Sequence, residues 1–181
     1  MTTPIAGGKR RLDRVLSEDY VAGLDALPLE ELRSRREDAD QEETDLSYLR
    51  RMLQGRLDIV RAEAARRSSG GGSLLDTLPQ ILADDGGGTA PAGLGRHRAT
   101  EPSRAGETRR REEALVADLG LSDPSALDED GLRRAADTLV AEEHECSAAR
   151  KRVQQVIDTL GAEIARRYKT GEADVGALLP Q

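Results

Sequence analysis

Glu143, Ser147, Arg150, Gln154 and Asp158 stand at offsets of 0, 4, 7, 11 and 15 along the chain. On a helix turning about 100° per residue, all five fall within an arc of roughly 80° and form one polar stripe. Their chemistry is that of a guanine-nucleotide site. Arginine carries a planar fork of donors that suits phosphate oxygens or guanine O6 and N7, and it also stacks on a base face. Aspartate only accepts, and can take the N1 and N2 protons of guanine's Watson–Crick edge. Serine and glutamine add hydrogen bonds to phosphate, ribose or base, and glutamate is suited to orienting an arginine. The set binds; it contains no assembled catalyst.

The same stripe occurs one hundred positions upstream as Glu43, Ser47, Arg50, Gln54 and Asp58. Between residues 43–58 and 143–158 these five are the only identities: Tyr48 faces Ala148, Leu49 faces Ala149, Met52 faces Arg152 and Arg56 faces Val156. Leu46, Leu53 and Leu57 become Cys146, Val153 and Ile157, so the apolar positions need only bulk. Drift after a duplication would scatter the surviving identities, whereas here all of them share one helical face. A solvated charged face is the alternative, but its i,i+4 pairs contribute only a few tenths of a kcal/mol each and do not require the same five residues twice.

Long helices must position these stripes. Leu32, Ala39, Leu46, Leu53 and Val60 recur every seven residues, with Leu29, Leu57 and Ala64 filling companion positions at the two ends. In the middle that companion row is Arg36, Glu43 and Arg50 instead. Pro28 suits a first helical turn, and Glu30 and Glu31 complement its dipole, which places a helix from near Leu27 to about Arg67. Leu132, Leu139, Cys146, Val153 and Leu160 repeat the seam, completed by Ile157 and Ile164. Ser125 and Asp128 are spaced as a capping box before this second helix. Gly55 and Gly161 each cost about 1 kcal/mol of helix propensity. Gly161 lies on the stripe side, where either a close approach or tolerated drift would account for it.

The expected fold is all-α: two long helices in an antiparallel coiled-coil hairpin, a short N-terminal helix, and a long disordered Gly/Pro-rich tether. The divisions are a flexible tail (1–11), a first helical unit (12–67), a flexible linker (68–111), a second helical unit (112–168) and a flexible tail (169–181). Within the linker, LLDTLPQIL marks segment 73–84 as either a short docking element or an apolar interruption of a disordered tether. A tether of about forty residues permits either direction of pairing. Antiparallel pairing is favoured because it brings the two stripes together into one composite site within a monomer.

Composition narrows the function. With no Phe or Trp, three Tyr and 34% charged residues among 181, the chain lacks bulky apolar side chains for a large core. A net charge of −7 opposes direct nucleic-acid binding, and no basic patch with interleaved aromatics offsets it. Cys146 is the single cysteine, so no internal disulfide or cysteine zinc cluster forms, and its seam position reads as a small buried thiol. His97 and His144 have no ligand or base spacing, and the GGG runs lack a P-loop's lysine, so neither an enzyme nor a metal site is expected. No apolar run has signal-peptide or membrane-spanning length, which gives a cytoplasmic expectation with no membrane partner.

The twice-repeated E-x3-S-x2-R-x3-Q-x3-D pattern resembles the cyclic-di-GMP-binding motif of the RsiG family of actinobacterial anti-sigma factors, and both copies match it without departure. LPLEELRSRREDADQEETDLSYLRRMLQGRLDIVRAE, around the first copy, is similar to that family as well. The resemblance implies an antiparallel hairpin holding an intercalated dimer of cyclic-di-GMP between its motif helices. It also implies a sporulation sigma factor of the WhiG type as partner, kept from RNA polymerase. The ligand residues it carries over are Glu43, Ser47, Arg50, Gln54, Asp58, Glu143, Ser147, Arg150, Gln154 and Asp158. Two dinucleotides bring about four negative charges, and Arg51, Lys151, Arg56 or Arg152 are candidates for a second basic layer beyond Arg50 and Arg150. Two other readings stand beside this one. The first is a structural coiled coil without nucleotide, for which Arg50 and Arg150 would be dispensable. The second is a hairpin that modulates RNA polymerase, which the long Gly-rich tether between the helix tips disfavours.

Overall fold

A computed structural model of the protein describes residues 3–68, 102–103 and 121–171. The linker's apolar segment 73–84 and the ends of the chain at 1–2 and 172–181 lie outside the described residues, as does the start of the second unit at 112–120. The regular secondary structure among the described residues is helical, with no strand. Helix α1 spans Arg11–Val15, α2 Leu29–Ser68 and α3 Glu129–Thr170, with short 3-10 turns at Glu18–Tyr20, Leu24–Ala26 and Pro124–Ala126. At 1.5 Å per residue the two long helices each run about 60 Å.

Local chemistry sets the helix ends. In α2 the Leu32 amide donates to the Pro28 carbonyl, so proline stands just ahead of the first turn, where its missing N–H costs nothing. Helix α3 starts on a different cap from the Ser125 and Asp128 box read from the sequence. Asp128 itself accepts the Gly131 amide at 2.6 Å, while Ser125 belongs to the preceding 3-10 turn, bonded to Asp123. The helix needs an acceptor three residues ahead of Gly131, and Asp128 alone is placed to supply it. A Cβ at 131 would come within 2.9 Å of that carboxylate oxygen, so glycine admits the cap. The helix stops at Gly171, whose φ of 77° is the left-handed conformation that closes many helix C-termini.

Contacts fall into two compact units: Met1–Ser47 with Ser147–Gln181, and Tyr48–Cys146. In the first, the early part of α2 packs on the late part of α3, and contacts from Arg33 to Tyr168 and from Arg150 to Glu43 show the chains running antiparallel. Its core is Leu32, Ala39, Leu46, Val153, Leu160 and Ile164, covered by Leu12, Val15 and Tyr20 of the N-terminal segment. Burial pushes the Tyr20 phenol up to about 12, and its hydroxyl donates to the Arg35 carbonyl at 2.9 Å. The Arg35 guanidinium returns a bond to the Tyr20 carbonyl. The short N-terminal helix expected ahead of α2 is α1 followed by two 3-10 turns, fastened along α2 by Arg11 to Asp45 and Arg14 to Asp38. Residues 3–10, read as a tail from composition, are tied to Asp13, which accepts the Ile5 amide and the Arg10 guanidinium.

In the second unit, Leu53, Leu57 and Val60 of α2 pack with Leu132, Ala135, Leu139 and Cys146 of α3, again antiparallel, with Arg50 meeting Glu143 and Arg67 meeting Leu127. Every member of both seven-residue rows is buried across the two units, Cys146 included. The companion positions differ from the sequence reading: Leu57 and Ile164 are buried, Leu29 and Ile157 only half-buried, and Ala64 exposed. Toward the middle of each helix the second buried residue lies three, not four, places after the seam, at Leu49 and Ala149. Position +4 is left to Arg50 and Arg150.

A second repeated device lies past each stripe. Fully buried Glu63 accepts from Arg66 and Arg67, and Arg67 also donates to the carbonyls of Pro124, Ser125 and Leu127. In the other unit Glu163 accepts from Arg166 and Arg167, and Arg167 donates to Leu24, Asp25 and Leu27. Both arginines clamp the turn that precedes the other long helix. Leu24 and Pro124 already accept the Leu27 and Leu127 amides inside these 3-10 turns, and each guanidinium adds donors to them and to the carbonyls that follow.

Candidate functional site

Each stripe contributes to both units, because each long helix passes from one unit to the other. In the first unit Arg150 donates through Nε to Glu43 Oε1 at 2.7 Å and lies 2.9 Å from the Ser47 hydroxyl. Gln154 donates to the same glutamate oxygen at 3.4 Å, and the Ser47 hydroxyl donates to it at 3.0 Å. In the second unit Arg50 donates through Nε to Glu143 Oε1 at 2.9 Å, and Gln54 reaches that oxygen at 3.4 Å. The glutamate of one motif thus orients the arginine and glutamine of the other, twice over, by the same atoms.

All these side chains are partly sheltered: Arg50 and Arg150 keep 35% and 31% of their surface exposed, Glu143 and Glu43 16% and 22%. An exposed ion pair in water contributes little, about 0–1 kcal/mol, so this pairing is a weak device for stability. It is an effective device for position, since contact at Nε fixes the plane of the guanidinium and directs its terminal nitrogens. The seam residues under the stripe, Leu46 with Leu49 and Cys146 with Ala149, hold the helical faces that carry it.

The motif aspartates stand farther along. Asp58 is half-buried and lies with Gln54, Leu57, Arg61, Val140, Glu143 and His144 around a groove of about 290 Å³ in the second unit. That volume is at the lower edge of small-ligand pockets, which run about 300–1,000 Å³. Its polar lining combines acceptor-only carboxylates, an amide and a guanidinium. Asp158 is exposed. The geometry therefore brings Glu, Ser, Arg and Gln together in the first unit and Glu, Arg, Gln and Asp in the second.

Sequence reading missed two polar groove residues, Arg61 and His144. Arg61 lies eighteen residues past Glu43, five full turns, so extending the stripe by one heptad would have found it. His144 has no counterpart in the first motif, where Thr44 stands, so no pattern marks it. Of the second basic layer expected from the sequence, Arg51, Lys151 and Arg152 are exposed. By helical rotation Arg56 and Arg152 sit roughly 140° to 180° around from the stripe, on the far side.

In each unit α2 and α3 thus pair antiparallel and carry one of two matched polar clusters. The family model described as RsiG-like matches residues 18–82 and 118–181, two stretches that begin one hundred residues apart and together contain both long helices. The match covers well over half of the chain, and the protein belongs to the RsiG-like family. That is a regulatory anti-sigma factor family, with a sigma factor as its general class of partner. No curated protein matches the chain significantly. No helix among the described residues is long and apolar enough to cross a membrane.

Proposed function

We propose that the protein is a cyclic-di-GMP-dependent anti-sigma factor. With two dinucleotides held between its motif helices, it sequesters a sporulation-type sigma factor of the WhiG type from RNA polymerase. The observation that carries this reading is the doubled cluster: Glu43 on Arg150 and Gln154, and Glu143 on Arg50 and Gln54. Each cluster offers an arginine and a glutamine on an orienting glutamate, side chains suited to a guanine nucleotide, and its occurrence twice suits two dinucleotides.

In this mechanism Glu43 and Glu143 keep the Nε edge of each arginine, which leaves the terminal nitrogens to donate to phosphate or to guanine O6 and N7. Asp58 and Asp158 accept the N1 and N2 protons of a guanine. Gln54, Gln154, Ser47 and Ser147 supply further hydrogen bonds to phosphate, ribose or base. The bound nucleotide completes the surface that the sigma factor contacts, so each ligand strengthens the other by one coupling free energy. Couplings of this type change affinity about 5- to 150-fold. Titrating a WhiG-type sigma factor against the full chain, with and without saturating cyclic-di-GMP, should show a gain within that range. Equal affinity in the two titrations would refute the dependence.

A further inference from the structure

The two units carry an extra arginine on the stripe by opposite routes. In the second unit it is Arg61, three residues after Asp58 on the same helix, with its Nη1 4.0 Å from Asp58 Oδ1. On the opposing helix Glu129, Leu132, Arg133 and the small Ala136 line a groove with Arg61. In the first unit the equivalent of Arg61 is Gly161, and the equivalent of Ala136 is Arg36. The Arg36 guanidinium carbon lies 4.0 Å from where a Cβ of residue 161 would stand. An arginine at 161 would compete for that space. The repeat has thus exchanged one arginine between helices while keeping one in each unit.

Both arginines lie on the stripe. Relative to Glu43, Arg36 is rotated about 20° and Arg61 about 0°, inside the arc of the five motif residues. Both are accessible, with 47% and 62% of the side chain exposed. An aspartate that accepts guanine N1 and N2 leaves O6 and N7 on the adjoining edge, and a neighbouring arginine fork is the side chain that reads those two acceptors.

We propose that Arg36 and Arg61 are further ligand-binding residues, each reading guanine O6 and N7 next to Asp158 and Asp58 respectively. This inference rests on the cyclic-di-GMP reading. It also revises the source of positive charge, from the far-side Arg56 and Arg152 to two arginines on the stripe itself.

The test is calorimetric titration of the full chain with cyclic-di-GMP and, separately, with cyclic-di-AMP, whose adenine has no O6 acceptor. Wild type, Arg36→Ala, Arg61→Ala, Arg50→Ala and the exchange variant Arg61→Gly with Ala136→Arg are compared. Arg36→Ala and Arg61→Ala should each weaken cyclic-di-GMP binding about tenfold or more and narrow its preference over cyclic-di-AMP, as loss of a bidentate base contact does. The exchange variant should recover most of the lost affinity, because it rebuilds in the second unit the arrangement already present in the first. The inference alone is overturned if Arg50→Ala abolishes binding while Arg36→Ala and Arg61→Ala stay within about twofold of wild type. It is likewise overturned if both nucleotides lose affinity equally or the exchange restores nothing. A wild-type chain that binds no cyclic-di-GMP overturns this inference together with the functional reading beneath it.

Discussion

Replacing Arg67 by alanine should destabilise the second unit more than any other single truncation of an exposed or half-exposed arginine in it. The side chain donates to Leu127 O at 2.6 Å, Ser125 O at 3.0 Å, Pro124 O at 3.2 Å and Glu63 Oε1 at 2.7 Å, with 24% of its surface exposed. A hydrogen bond to a charged group nets about 1.5–3 kcal/mol, and bonds sharing one donor do not add. Removing a partner from a buried carboxylate costs about 3–5 kcal/mol when nothing else holds it, but Arg66 still contacts Glu63. The expected loss is about 2–3 kcal/mol, from the released carbonyls and the weakened carboxylate together. Urea unfolding followed by far-ultraviolet circular dichroism measures it. Arg66→Ala, which touches only Glu63 among the bonds described, is the comparison and should cost clearly less. Arg167→Ala should produce a loss similar to that of Arg67→Ala, because it clamps Leu24, Asp25 and Leu27 in the same way. If Arg67→Ala costs no more than Arg66→Ala, the clamp is not what anchors the turn before α3.

Acid should act through the buried carboxylate. Hydrogen bonds from Arg66 and Arg67 hold the Glu63 carboxyl down to about 2 from a usual 4.5. Because the folded value lies below the unfolded one, its contribution is complete above about pH 4.5 and is lost as the pH falls toward about 2. Melting temperature measured between those limits should therefore fall less steeply for Glu63→Gln than for wild type; identical slopes would remove Glu63 from the acid response. Gly55 meets no neighbouring atom where a Cβ would stand, so Gly55→Ala should raise stability by up to about 1 kcal/mol through helix propensity alone. A loss in thermal melting would show that position 55 is constrained by something other than backbone freedom.

Much of this was legible before any coordinates. The two seven-residue rows from Leu32 and Leu132 identify the buried seam because a helix returns the same face every two turns, and every member is buried. The ten motif residues stood out because identity survived on one face only. Periodicity along one helix carries no register between two, so the pairing of Glu43 with Arg150 and of Glu143 with Arg50 required the fold. The Glu63, Arg66 and Arg67 clamp left a trace, since all three recur at 163, 166 and 167, but its partners are backbone carbonyls that no side-chain pattern records. The cap at Asp128 was misplaced onto Ser125 for a related reason: both spacings are good capping chemistry, and only the backbone decides which one the helix uses.

The claim on which the account depends is that the polar quintets bind cyclic dinucleotides. Isothermal titration of cyclic-di-GMP into the full chain, followed by the same titration into Arg50→Ala and Arg150→Ala, tests it most directly. The account predicts about two dinucleotides per chain and, in each variant, a loss of affinity of about tenfold or more, the scale of one lost charge-assisted contact. Undiminished affinity in both variants, or no binding by the unaltered protein, would contradict it.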